Sequence, residues 1–233
     1  MPLEGRYEIA DGVPRRLGEL AAAGELLAAP LALADFFRLE DRFERLGHFG
    51  IAVRGRAHSA LLFARQPIRQ LDGAAIAVTE DSSTTARLLR LILEERYHLS
   101  PARYTRGRDP EADAVLLIGN EALRARQANT SYPFETDLGL EWWLWQHLPF
   151  TFAVWAIRKD APAGVKRDIE SAIARSLSAN LGQLPDVGKE LAGELGTAEE
   201  IEAYLGSFIY RLGRNEEEGI ARFRKLLHGA DLR

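Results

Sequence analysis

The chain contains no cysteine, and this absence removes several kinds of chemistry at once. Disulfide bonds, thiolate-bound zinc, iron–sulfur clusters and cysteine nucleophiles all depend on that side chain. The five histidines are too scattered to show the spacing of metal ligands, and no glycine motif for nucleotide binding occurs. We therefore expect neither a metal site nor a nucleotide cofactor.

Long apolar runs and an excess of basic charge are also missing. No segment approaches the roughly 18 apolar residues that a membrane-spanning helix needs, and the first residues lack the basic and apolar regions of a signal peptide. We expect a cytoplasmic protein that does not contact a membrane. The formal net charge of −4 gives no electrostatic footprint for binding nucleic acid.

The composition is that of an ordinary globular protein. Its 233 residues are 46% hydrophobic and 27% charged, which disfavours disorder. The length is compatible with one large domain or with two small lobes.

Short apolar segments alternate with amphipathic ones along the first two thirds of the chain, which predicts an α/β fold. The predicted strands cover residues 7–10, 26–33, 49–54, 58–64, 75–78, 112–118 and 151–157. The predicted helices cover residues 14–24, 35–39, 86–97, 120–126, 138–147, 165–181, 198–212 and 216–227. No strand is predicted after residue 157, so the C-terminal tail is expected to be helical.

The first candidate site is the polar turn between the strand at 75–78 and the helix at 86–97. It contains the four hydroxyl residues Ser82, Ser83, Thr84 and Thr85. Ligands of open α/β sheets bind at the carboxyl ends of strands, where a helix start offers unpaired N–H groups to an anion. The same residues are also common helix caps, so a purely structural role stays open.

Gly119 and Asn120 form the second candidate, directly after the strand at 112–118. A glycine lets a ligand approach the backbone, and an asparagine amide can donate a hydrogen bond. A tight turn capped by asparagine would explain the pair equally well.

Ser59 is the third candidate, although a serine in a strand is usually only a small polar residue. Strand alternation should send His58 and Ser59 to opposite faces, so they cannot act together as base and nucleophile. The dense aromatic residues between 142 and 155 are interpreted mainly as core.

Taken in order, several segments resemble the chorismate dehydratase family of the futalosine pathway of menaquinone biosynthesis. They are Gly12-Val13-Pro14, PLALADF at 30–36, HSALLFARQPI at 58–68, AIAVTEDSSTTARLLRLIL at 75–93 and VLLIGNEAL at 115–123. The most specific segment is Asp137-Leu138-Gly139, followed by the aromatic residues and by Arg158. The likeness covers about residues 7–160, and the tail agrees only in kind.

This resemblance implies a two-lobed periplasmic-binding-protein-like (type II) fold with a helical C-terminal tail. Lobe I would comprise residues 1–66 and 148–233, and lobe II would comprise 67–147. The implied activity is that of a lyase, the elimination of water from chorismate to give 3-[(1-carboxyvinyl)oxy]benzoate, without a metal or an organic cofactor. Ser59 matches a family serine that faces the substrate. The hydroxyls of 82–85 and the Gly119–Asn120 turn would bind the two carboxylates without cationic side chains.

The chain departs from the family pattern at three places. The family begins with a strand that ends in an asparagine linked to substrate handling, whereas this chain begins at Met1-Pro2-Leu3. Ala32 stands where the family usually has Ser or Thr, and Asn120 replaces the usual Asp. Since the missing strand would lie inside the first sheet, we expect two unpaired strand edges there, and a longer natural protein upstream.

Three other functions stay open on the sequence alone. The main alternative is a non-catalytic protein of the same fold that binds small carboxylate anions. A related lyase of the same pathway is another, for which a catalytic histidine would be expected. A protein-interaction module is the last, suggested only by the tail. The aromatic residues could be core or interface, so a homodimer is also allowed.

Overall fold

A computed structural model describes residues 5–80, 82–128 and 131–229, and within these ranges nine strands form two separate sheets. The strands are β1 (Ala28–Ala32), β2 (Phe43–Val53), β3 (Ala60–Ala64), β4 (Ala75–Val78), β5 (Arg103–Arg106), β6 (Ala114–Ile118), β7 (Phe134–Asp137), β8 (Phe150–Arg158) and β9 (Phe208–Arg211). The helices are α1 (Pro14–Ala23), α2 (Leu33–Leu39), α3 (Thr84–Leu91), α4 (Gly119–Ala128), α5 (Leu138–Gln146), α6 (Ala163–Asn180), α7 (Leu184–Leu191), α8 (Ala198–Gly206) and α9 (Arg214–Gly229). Part of the predicted turn at 79–85, Asp81, lies outside the described residues.

The first sheet has the strand order β1-β8-β2-β9, and all its described pairings are antiparallel. β8 pairs with β1 on one side and with β2 on the other. The expectation of two unpaired inner edges is therefore wrong for the described strands, because β8 occupies the position between them.

The second sheet has the order β5-β4-β6-β3-β7 and is mixed. β4 runs parallel to β5 and β6, whereas β3 runs antiparallel to β6 and β7. The carboxyl ends of β4 and β6 therefore meet the amino end of β3 at one edge. All three candidate segments of the sequence leave or enter the sheet at that edge.

The sheets divide the chain differently from the predicted lobes at one point. β3 lies within 1–66, yet its hydrogen bonds join it to the five-stranded sheet. The division of the chain into two lobes stays a prediction, but the sheet boundary falls before residue 60 rather than after 66.

The aromatic segment forms a core around Trp142, as the sequence indicated. Its buried indole packs edge-on against Phe150 and Phe223, at ring-centroid distances of 5.2 and 6.0 Å. This contact joins α5, β8 and α9. Trp143 points away from it, and its ring is covered by the guanidinium of Arg54.

Two predictions of secondary structure are wrong, and two strands were not predicted, for reasons that lie outside the local sequence. Residues 7–10 form no strand, and Tyr7 instead hydrogen-bonds to Asp168 of α6. The predicted helix at 198–212 ends at Gly206, because the following residues pair as β9 with the edge of β2. β5 and β7 were not predicted. β5 forms by pairing with β4, and β7 forms by pairing with β3.

Within the described ranges, every helix falls short of the length and hydropathy that crossing a bilayer requires.

Two helical glycines give a test of how closely α9 packs. A Cβ on Gly219 would collide with the carbonyl oxygen of Pro149, whereas a Cβ on Gly164 in α6 would meet nothing within 4 Å. We expect Gly219→Ala to lower the free energy of unfolding by about 1–3 kcal/mol. Gly164→Ala should be neutral or slightly stabilising, since alanine favours helix. Urea unfolding of both variants measures the difference, and equal stabilities would contradict the packing.

Candidate functional site

A cavity of about 610 Å³ lies where residues of both sheets meet the C-terminal segment. All seven candidate residues line it: Ser59, Ser82, Ser83, Thr84, Thr85, Gly119 and Asn120. The volume suits a small metabolite. The structure thus brings the three predicted segments together, while the role of each residue in binding or catalysis stays a prediction.

Ser59 is placed by the buried carboxylate of Asp137. That carboxylate accepts hydrogen bonds from the backbone N–H groups of Ala57 (2.9 Å) and His58 (2.8 Å). It also caps α5 by accepting from the N–H of Leu140 at 3.0 Å. The carboxylate therefore fixes the turn before β3 to the start of α5.

The turn before β3 has no side-chain alternation, because β3 begins only at residue 60. His58 adopts a left-handed conformation with φ 62°, so the strand argument that separated His58 from Ser59 does not apply. Ser59 is 9% exposed, and its carbonyl accepts from the N–H of Gly119 at 2.8 Å. Two of the three candidate segments are therefore joined through the backbone.

Three of the four hydroxyls around the start of α3 have structural partners. Ser82 Oγ accepts from the N–H of Ala86. The hydroxyl of Ser83 donates to the buried carboxylate of Asp35 at 2.7 Å. Thr84 Oγ1 accepts from the N–H of Ala34 in α2 at 3.0 Å. The capping interpretation thus holds for Ser82, and the other two contacts join α3 to α2.

Thr85 differs from these three. Its side chain is 6% exposed and lines the cavity, and the described part of the chain offers its hydroxyl no hydrogen-bond partner. Ser82 and Thr84 only accept in their contacts, so their O–H groups can still donate to a ligand, whereas the hydroxyl of Thr85 can both donate and accept.

Gly119 begins α4 with φ 57°, and a Cβ there would meet nothing within 4 Å. The N–H of Gly119 donates to the carbonyl of Ser59. The next N–H groups of α4 are therefore the ones left without helical carbonyl partners. Asn120 is exposed and lines the cavity beside them.

The C-terminal segment supplies four lining residues that the sequence reasoning missed. They are Tyr204, Leu205, Phe208 and Tyr210. The hydroxyl of Tyr204 lies 2.8 Å from Ser59 Oγ, and Tyr210 donates to the carbonyl of Leu205. No local pattern marks these residues, because they reach the cavity only through the pairing of β9 with β2.

Two charged residues of α4 were also missed, Glu121 and Arg124. Arg124 stands four positions after Asn120, so both lie on one face of α4. This spacing could have predicted that Arg124 lines the cavity. Its side chain is half exposed, and its Nε donates to Glu194 at 3.1 Å. The expectation of a site without cationic side chains is therefore wrong at the rim.

Apolar side chains form the remaining walls, among them Ile51, Phe152 and Phe208. Ala32 also lines the cavity, at the position where a hydroxyl was expected from the family pattern. The described residues contain no group of three or more side chains that could hold a metal ion.

Burial shifts the ionisation of groups next to the cavity. Desolvation lowers the pKa of His58, an effect that the Asp137 carboxylate opposes. Burial raises the pKa of the Tyr204 phenol, and it also raises the pKa of Tyr210. Both phenols are therefore protonated at neutral pH, and Tyr204 keeps a proton to donate.

The role of Asp137 can be tested by removing its acceptors. Asp137→Ala leaves three N–H groups unpaired, and we expect the free energy of unfolding to fall by about 3 kcal/mol or more. Asp137→Asn keeps one acceptor oxygen for Ala57 and Leu140 and should lose less. Urea unfolding of both variants tests this, and an unchanged stability of Asp137→Ala would contradict the proposed anchoring.

Comparisons with known proteins agree with this geometry. A protein family described as menaquinone biosynthesis matches residues 1–229. A chorismate dehydratase from Thermus thermophilus is 30% identical over 245 aligned residues, which cover 97% of this chain and 88% of that protein. A 1,4-dihydroxy-6-naphtoate synthase from the same organism is 26% identical, covering 88% of this chain and 78% of that protein.

Solved structures show the same fold. Protein AF1704 from Archaeoglobus fulgidus superposes with a TM-score of 0.77 at 18% identity, covering 97% of this chain and 87% of that chain. The periplasmic aliphatic sulphonate binding protein SsuA from Escherichia coli gives 0.59 at 14% identity, covering 94% and 75%. The expected periplasmic-binding-protein-like fold is confirmed, and the match over nearly the whole sequence shows that this chain belongs to the menaquinone biosynthesis family.

Proposed function

We propose that this protein is a chorismate dehydratase, which eliminates water from chorismate to give 3-[(1-carboxyvinyl)oxy]benzoate. The observation that carries the proposal is the convergence of all seven candidate residues on one cavity. The relative that is 30% identical is named chorismate dehydratase, and the alignment covers 97% of this chain and 88% of that protein.

The reaction breaks a C–H bond and a C–O bond on neighbouring ring atoms of the substrate. The ring proton and the departing hydroxyl together make the one water that is released. Because the remaining ring becomes aromatic, the product is strongly favoured. The protein therefore has mainly to hold the substrate in a reactive orientation.

Chorismate carries two carboxylates, and the cavity offers two helix starts that could receive them. Thr85 and the first N–H groups of α3 form one set of donors. The N–H groups at the start of α4, with the amide of Asn120, form the other. Arg124 adds a half-exposed positive charge at the rim, where it offsets the negative charge of Glu121 in the same lining.

The ring and the enolpyruvyl group require an apolar environment between these anchors. Ile51 and Phe152 of the first sheet and Phe208 of β9 supply it. Aromatic walls exclude water from the ring, which strengthens the hydrogen bonds to the reacting groups.

Ser59 is proposed as the catalytic residue. Its hydroxyl would donate a hydrogen bond to the departing oxygen, while a carboxylate of the substrate removes the ring proton. This division needs no protein base, and none of the residues described as lining the cavity is a histidine.

The related lyase is the second candidate, because the relative that is 26% identical bears the name of such an enzyme. A catalytic histidine was expected for that reaction. His58 is the histidine nearest to Ser59 in sequence, yet it lines a separate small pocket beside Tyr204. The geometry therefore favours the dehydratase.

We place the reaction in the cytoplasm. A homodimer also stays a prediction.

Turnover of chorismate tests the proposal. The wild-type protein should form the aromatic product, which is followed by its ultraviolet absorbance. Ser59→Ala should lower kcat by about 100-fold, while the variant still unfolds cooperatively in urea. Chorismate binding without turnover would favour the non-catalytic anion-binding protein, and full activity of Ser59→Ala would remove Ser59 from the mechanism.

The two threonines at the start of α3 should behave differently. Thr85→Val removes a hydroxyl that has no partner in the described structure, and we expect the affinity for chorismate to fall about tenfold with stability unchanged. Thr84→Val leaves the buried N–H of Ala34 unpaired and should lower stability by about 1–3 kcal/mol. Calorimetric titration and urea unfolding separate the two effects. An unaltered affinity of Thr85→Val would argue against this anion anchor.

A further inference from the structure

The C-terminal segment carries a side chain that touches the proposed catalytic hydroxyl. Tyr204 of α8 places its phenol oxygen 2.8 Å from Ser59 Oγ. No other hydrogen bond to the Ser59 hydroxyl occurs within the described ranges. The orientation of that hydroxyl therefore depends on a residue about 145 positions away in sequence.

Tyr204 is itself held in place. Its ring packs edge-on against Phe208 at a centroid distance of 5.0 Å. Phe208 belongs to β9, where it pairs with Val53 of β2 in the first sheet. Ser59 directly precedes β3, which belongs to the second sheet. The hydrogen bond thus connects a residue fixed to one sheet with a residue fixed to the other.

The direction of the hydrogen bond decides what Ser59 can do. A serine hydroxyl has one proton to donate and can accept from another group. When the Tyr204 phenol donates to Ser59 Oγ, the serine proton is left to point toward a ligand in the cavity. The Tyr204 phenol is protonated at neutral pH because burial disfavours its anion, so it is able to act as the donor.

We infer that Tyr204 is a positioning residue that donates to Ser59 and turns its hydroxyl toward the substrate. This inference rests on the proposed dehydratase function. Tyr204 acts through Ser59, so its removal should lower kcat and change KM little. It should also have no further effect once the serine hydroxyl is gone.

A double-mutant cycle on chorismate turnover tests this dependence. Tyr204→Phe should lower kcat about tenfold, with KM within about twofold. The double variant Ser59→Ala/Tyr204→Phe should be no slower than Ser59→Ala alone. Tyr104→Phe is the matched control, because its partly buried hydroxyl also donates to a side chain, Glu94, and Tyr104 lies in β5, at the opposite side of the sheet from β3. Independent, additive losses or an unchanged Tyr204→Phe would overturn the inference.

The absence of cysteine allows a second test that needs no turnover. Ser59→Cys introduces a single thiol, and its pKa follows from the pH dependence of alkylation by iodoacetamide. A phenol that donates to this sulfur stabilises the thiolate. Adding Tyr204→Phe should therefore raise the thiol pKa and slow alkylation at pH 7 by about tenfold. An equal pKa in both variants would contradict donation by Tyr204.

The two tests separate this inference from the proposed function. If the wild-type protein does not convert chorismate, the dehydratase assignment fails. The thiol pKa still reports whether Tyr204 donates to residue 59. If the wild type is active and the thiol pKa does not respond to Tyr204→Phe, the inference fails alone.

Discussion

The hydrogen bonds to one buried carboxylate, Asp137, are the constraint on which the geometry of the site depends. They tie the turn at Ala57 and His58 to the start of α5, and they leave Ser59 directly at the edge of the second sheet. Gly139 contributes from the same motif, since a Cβ there would come within 2.8 Å of the carbonyl oxygen of Gly55. The Asp137-Leu138-Gly139 motif, the most specific part of the family resemblance, therefore fixes the position of Ser59.

The remaining organisation of the site follows from topology. Antiparallel pairing of β3 with β6 sets Ala60 opposite Ile118, so the residues that flank this pair, Ser59 and Gly119, must be neighbours. Parallel pairing of β4 with β6 brings the start of α3 to the same edge. The C-terminal segment then closes the cavity from the first sheet through β9.

The features that could be predicted from the sequence are those with local signals. The proline at the start of α1 and Gly24 after it mark that helix, and the hydroxyl run and Gly119 mark strand ends. β9 carries only a short signal, the strand-favouring residues Phe208, Ile209 and Tyr210, and its assignment as a strand depends on the pairing with β2. The hydrogen-bond partners of the individual hydroxyls could not be predicted from the sequence either. Which side chain faces the cavity depends on α3 starting at Thr84, two residues before the predicted start.

The balance of charge in the cavity fits the proposed chemistry for a specific reason. A cation in direct contact with the substrate carboxylate that takes the ring proton would lower the basicity of that carboxylate. Hydroxyl and N–H donors also lower that basicity, but neutral dipoles do so less than a full positive charge at the same distance. Among the described lining residues the charged side chains are Glu121 and Arg124, and Arg124 is half exposed and already donates to Glu194. The side-chain charges of the described lining thus cancel, and a substrate carboxylate held by neutral donors keeps more of its basicity than one paired directly with an arginine.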